Sequence, residues 1–162
     1  IQPKKNPADS KQDLYEVGCV GKITNLNKSN DGRYLIDLNG LSRFKIVEEV
    51  QNNKLYRECK ISFNEFENDV NLKKEKINSS NIKSIFSKIQ KLFEKKGYLL
   101  NWKEIEKQKI EQIINALSMA SPFSLEEKQV LLETKNLNLR KNKLEEILNT
   151  YDVDNFNNTT LQ

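Results

Sequence analysis

Apolar residues recur along this chain with two different periods, and the change falls near Phe63. From Leu14 to Phe63 they sit in short alternating runs, the period-two signature of half-buried strands. Glu16 to Leu26 forms the first such run, and Asn30-Asp31-Gly32 then supplies the Asp-Gly pair of a tight hairpin whose central positions need positive φ. Arg33 to Asn39 alternates cleanly, with Tyr34, Ile36 and Leu38 on one face and Arg33 and Asp37 on the other. Gly40 breaks the run, Phe44 and Ile46 resume it, and Asn52-Asn53 marks a second turn before Leu55 to Phe63. This pattern predicts four strands in an antiparallel meander.

Past Phe63 the segment Asn64 to Ser79 is a polar crossing with room for one short strand around Val70, and then a helical period takes over. Ile82, Ile85, Phe86, Ile89, Leu92 and Phe93 make one stripe, which Lys95, Lys96 and Gly97 close. A second helix is expected from Asn101, capped through Glu104, carrying Ile105, Ile110, Ile113, Ile114 and Leu117 and stopped by Pro122. Ser124 and Glu127 form a capping box for a third through Glu133, and a fourth runs from Leu139 to Thr150 on Leu144, Ile147 and Leu148. The expected organisation is a β subdomain over 1–78, a helical subdomain over 79–151 and a frayed tail over 152–162. Pro3 to Asp13 reads as an exposed loop. The chain opens on Ile1 with no charged or apolar leader, so we expect a cytoplasmic protein, either a free-standing module or a fragment, whose upstream strand is missing.

Composition narrows the chemistry. Charged residues make up 31% of the 162, and no apolar run is long enough to span a membrane, so no membrane partner is expected. Up to Val70 the chain carries 11 basic and 11 acidic residues, so its net charge of +4 arises entirely in the C-terminal half. That is sparse for a nucleic-acid binder. Histidine and CxxC are both lacking, which closes the zinc option, and Cys19 and Cys59 read as buried free thiols within strands. No cofactor is expected.

Two S-x-x-K matches, Ser42 to Lys45 and Ser80 to Lys83, carry the spacing of a serine nucleophile with a lysine base. The first lies in a strand, which sends the two side chains to opposite faces. The second reads as an N-cap followed by a solvated lysine. Glu48-Glu49 and Glu126-Glu127 read as surface pairs. No catalytic residue is assigned.

Several residues nevertheless carry a resemblance. Leu14-Tyr-Glu-Val-Gly-Cys-Val-Gly-Lys-Ile23, Asp31-Gly-Arg-Tyr34 and Gly40-Leu-Ser-Arg-Phe-Lys-Ile46 resemble the N-terminal substrate-binding domain of Lon proteases. Ser124-Leu-Glu-Glu-Lys-Gln129 followed by Leu131-Leu-Glu-Thr134, with Pro122 shortly before, is similar to the helical part of the same domain. No GxxxxGK[ST] is present, so the resemblance is to a stand-alone bacterial Lon-domain protein or to a truncated Lon, without the ATPase or the Ser-Lys peptidase. It implies an α+β fold: a PUA-like antiparallel meander or partly closed barrel followed by a bundle of about four helices. It further implies a non-catalytic role, binding unfolded or degron-bearing polypeptide in protein quality control, with a protease or ATPase as a further partner.

Two rivals come from other classes. An RNA-binding PUA-like module would use Lys73, Lys74, Lys76, Lys83 and Lys88, which otherwise read as solvated faces. An oligomerising adaptor would need no ligand at all. Tyr34, Ile36, Leu38, Phe44 and Ile46 read first as core, with Tyr34 and Phe44 kept as candidate partner contacts. Trp102 lies outside its helix stripe and is the candidate for an exposed contact. Its alternative is packing against Tyr98 across the interhelix turn, which makes Tyr98 the fourth candidate.

Overall fold

A computed structural model describes residues 13–70 and 77–157, with side chains through Tyr151. The fold is α+β, and the chain divides into two compact units, 1–74 and 75–162. The first holds strands β1 (Val17–Lys28), β2 (Tyr34–Val50) and β3 (Glu58–Ser62), followed by a 3-10 turn at Asn64–Phe66 and a short helix α1 (Glu67–Val70). The strands form an open antiparallel meander in the order β1-β2-β3.

Three strands stand where four were expected, because Gly40 does not end the second. β2 runs through it by taking an extra residue at Leu41, between the pairs Gly21↔Gly40 and Val20↔Ser42. Crowding requires neither glycine: a Cβ on Gly21 would lie 3.4 Å from the Asn39 carbonyl oxygen and one on Gly40 3.5 Å from Cys19 Sγ, both ordinary contact distances. An inserted residue reverses the inside-outside alternation of everything beyond it. Tyr34, Ile36 and Leu38 therefore do not share a buried face with Phe44. A second shift, between Ile46 and Glu48, makes Val47 the odd residue.

The hairpin turn differs from expectation as well. Ser29 O accepts the Gly32 N–H at 3.0 Å, and only Gly32, at φ +86°, takes the left-handed conformation. Asp31 keeps negative φ and instead accepts from the Arg33 N–H and guanidinium, which holds its carboxyl below the usual carboxylate range. Leu55 to Arg57 belong to the β2–β3 connection, and the segment around Val70 is helical rather than extended. Residues 1–12 and 71–76, with their expected loop and Lys73, Lys74 and Lys76, lie outside the described residues.

The apolar interior of the first unit is thin: Val17, Phe44 and Phe66. Beside it lies an ion pair. Asp69 accepts the Arg43 N–H at 3.0 Å, Nε at 2.8 Å and Nη2 at 2.7 Å, and the guanidinium stacks 4.4 Å from the centre of the Phe66 ring. Cys19 is exposed and Cys59 half-buried, so both thiols are free but neither is the buried side chain expected.

The second unit contains α2 (Ile82–Lys95), α3 (Trp102–Glu106), α4 (Ile110–Ala120), α5 (Leu125–Glu133) and α6 (Leu137–Asn157). Its core joins Ile85, Phe86, Ile89, Leu92 and Phe93 of α2 to Ile113, Leu117, Phe123, Leu131, Leu144, Ile147 and Leu148. α2 ends as its sequence predicts. Gly97 at φ +74° donates to Glu94 O, Tyr98 donates to Phe93 O, and the two rings meet at 5.7 Å, which is the Schellman closure with its apolar contact. The Ser124 box also forms, with Glu127 N–H on Ser124 Oγ at 3.2 Å and Ser124 N–H on Glu127 Oε2 at 2.6 Å.

The helix expected from Asn101 to Pro122 is two. Five residues separate Ile105 from Ile110, and an unbroken helix would leave them about 140° apart, so the break at 107–109 lets both helices turn apolar faces inward. Two expected side-chain caps are missing as well: neither Asn101 nor Ser80 makes one. Asn81, at φ +65°, precedes α2, and Lys141, on the apolar stripe of α6, reaches under that turn. Its Nζ donates to Asn78 O at 2.9 Å and Ser80 O at 3.0 Å while the residue is 3% exposed. Lys141→Met keeps the stem and strands both carbonyls, so we expect a loss of about 1–3 kcal/mol in urea unfolding followed by Trp102 fluorescence. α6 continues past Thr150 to Asn157, with the Tyr151 ring tilted against Phe123 at 5.7 Å and its hydroxyl donating to Glu127 Oε2 at 2.8 Å.

Candidate functional site

The largest run of exposed apolar side chains in the first unit comes from its simplest local grammar. β1 and β2 extend well beyond β3, which pairs only with Lys45–Val50. In the free part the register places Ile23 opposite Leu38, Leu26 opposite Ile36 and Lys28 opposite Tyr34. Cross-strand partners share a face. Ile23, Leu26, Tyr34, Ile36 and Leu38 therefore line one side of the hairpin, each 45–69% exposed. The opposite side carries Asn25, Asn27, Asp37 and one exposed apolar residue, Leu35, and there Asn25 Nδ2 and the Thr24 hydroxyl tie β1 to Asp37.

The edges differ in a way that bears on binding. β3 and the turn before it are laced with ion pairs: Lys60 to Glu48 at 2.8 Å, Arg57 to Glu49 at 2.6 Å and Lys54 to Glu58 at 2.5 Å. Donating to Glu58 and Glu49 raises the pKa of Lys54 and of Arg57 above its ordinary value, and donating to Glu65 does the same for Lys45. Charges of this kind blunt an edge against further strands. The β1 edge has only Lys22 and Lys28, and among the described residues no strand pairs with it. The free hairpin thus offers an apolar face beside a row of main-chain donors and acceptors, the two components that seat an extended peptide.

Of the four candidate contacts, Tyr34 is on this face, with Lys28 Nζ 5.7 Å from its ring centre. Phe44 is not a surface residue: it is 5% exposed and meets Phe63 edge-on at 6.5 Å, on the far side of the Leu41 insertion from Tyr34. Trp102 is half-buried rather than exposed, edge-on to Phe86 at 6.4 Å and to Phe93 at 5.7 Å. Phe93 thus stands between it and Tyr98, which remains exposed. The sequence does not mark Ile23, Leu26, Ile36 and Leu38 as contacts, because alternation shows a two-faced strand without saying which face is covered.

The S-x-x-K pairs assemble nothing reactive. Ser42 Oγ donates to the Arg43 carbonyl at 3.0 Å while Lys45 pairs with Glu65, and Ser80 sits in the turn ahead of α2 with Lys83 exposed. Among the described residues no three of His, Cys, Asp and Glu gather as metal ligands, and no helix is long and apolar enough to cross a membrane.

A family profile described as the ATP-dependent protease La (LON) substrate-binding domain matches residues 2–150. A Lon protease of Malacoplasma penetrans (strain HF-2) is 30% identical over 161 residues, an alignment that takes in 89% of this chain and 19% of that protein. The chain therefore spans about a fifth of the length of this curated relative. With the family matched over nearly the whole chain, and with an open meander followed by helices in the order its motifs imply, the protein belongs to the Lon substrate-binding domain family.

Proposed function

We propose that this protein is a cytoplasmic, non-catalytic binder of unfolded or degron-bearing polypeptide, and that it serves protein quality control by presenting such chains to an ATP-dependent protease. The observation that carries the reading is the hairpin face of Ile23, Leu26, Tyr34, Ile36 and Leu38 beside the β1 edge. Unfolded chains share exposed apolar side chains and unpaired backbone, whatever their sequence, and the hairpin matches both. An exposed strand face and a free edge suit many clients, each held weakly.

The test is a fluorescence-anisotropy titration with a labelled, permanently unfolded model protein. Saturable binding is expected. An Ile36→Asp, Leu38→Asp double variant should weaken it by about tenfold or more. Because both side chains already face solvent, its unfolding free energy should change by no more than about 0.5 kcal/mol per site. Saturable, steeply salt-dependent binding of structured RNA in place of the polypeptide would instead make this an RNA module.

A further inference from the structure

The Schellman turn that closes α2 delivers the chain into Tyr98-Leu99-Leu100, an apolar tripeptide on the surface of the second unit. Leu99 is 97% exposed, and Tyr98 and Leu100 also face solvent. Asn101 follows, and Trp102 then turns back onto Phe86 and Phe93. This projecting turn has a fixed base, because Phe93 holds Tyr98 from one side and Trp102 from the other.

Its surroundings are basic. From Lys91 to Lys109 the sequence has six lysines and three glutamates. Glu104 is taken up by Lys107 at 2.7 Å, while Lys96 and Lys103, which bracket the turn, are exposed and form no salt bridge among the described residues. We propose that this turn seats the protein reversibly on an anionic lipid surface, with Leu99 and Leu100 entering the headgroup boundary, Tyr98 at the interface, and Lys96 and Lys103 on the acidic headgroups.

Shape and charge favour lipid over a protein partner. A leucine exposed on all sides has no pocket of its own to enter, and a bilayer interface can close around it without one. Lysines at the rim lay their stems along the apolar boundary and keep their ammonium groups among the phosphates. So short an insertion binds weakly by itself, and the anionic surface must supply the remainder. The lack of a spanning run, which led the sequence to suggest no membrane partner, has no bearing on a contact of this size.

Trp102 is the only tryptophan in the chain and lies at the base of the turn, so its emission reports contact directly. The full chain should co-sediment with vesicles containing about one-third phosphatidylglycerol, and lipids brominated near the headgroup should quench Trp102. Phosphatidylcholine vesicles should bind at least about fivefold less, as should anionic vesicles in about 0.5 M salt. Leu99→Asp and the Lys96→Glu, Lys103→Glu pair should each abolish sedimentation while leaving the circular dichroism unchanged, since these side chains face solvent. Binding equal on neutral vesicles, binding unaltered by Leu99→Asp, or no sedimentation at all would overturn the proposal. Self-association in light scattering that Leu99→Asp dissolves, without vesicle binding, would overturn it in favour of a contact between copies.

Discussion

Replacing Asp69 with alanine is expected to destabilise the first unit by about 3 kcal/mol. The Arg43 side chain is 9% exposed and that of Asp69 is 22% exposed, and the carboxylate receives the guanidinium at two points and the Arg43 amide at a third. Without it a cation remains in a nearly closed site beside the Phe66 ring, its carboxylate partner gone. The loss therefore reflects the stranded charge more than the attraction of the pair. An Arg43→Met, Asp69→Leu double variant removes the charge together with its partner and retains an apolar contact with Phe66, so it should recover most of the loss. Native-state hydrogen exchange at the Arg43 and Phe44 amides is the readout. A double variant as unstable as Asp69→Ala would show that geometry, not charge, holds α1 to β2.

In the second unit the largest expected effect is at Leu144. Its side chain is fully buried, on the α6 stripe that faces α2, with Ile89 equally buried in the same cluster. Leu144→Ala should cost about 2–5 kcal/mol, because helices joined by short turns collapse only partly into the space left. Met at the same site keeps the volume and should cost less than about 1.5 kcal/mol. Urea unfolding followed by Trp102 fluorescence separates the two outcomes, since that ring sits on the same cluster.

What the sequence made legible was local, and what it concealed was mostly distant. The α2 stripe, the Gly97 closure and the Ser124 box each lie within a few residues, where period and cap chemistry suffice. The motifs also carried the family. Concealed was the register of β2: Gly40 beside Leu41 signals an interruption, but not whether the strand ends there or bulges and runs on, and that insertion decides that Phe44 is buried and Tyr34 is not. The Arg43–Asp69 pair joins positions 26 apart in sequence, and Lys141 serves a turn more than 60 residues upstream. The division at 107–109 was readable in principle, since the five-residue gap between Ile105 and Ile110 breaks the helical period. Of the hairpin site, the residues were visible but not their exposure, because a clean alternation looks the same whether or not its apolar face is covered.

The central claim is that the free hairpin of β1 and β2 holds non-native polypeptide. An amide NMR titration of the full chain with an unfolded, reduced and alkylated model protein tests it residue by residue. The account predicts saturable shifts or broadening over Ile23–Lys28 and Tyr34–Leu38, with the amides of α4 to α6 unmoved. Perturbation confined to the helices, or an unchanged hairpin at saturating polypeptide, would contradict it.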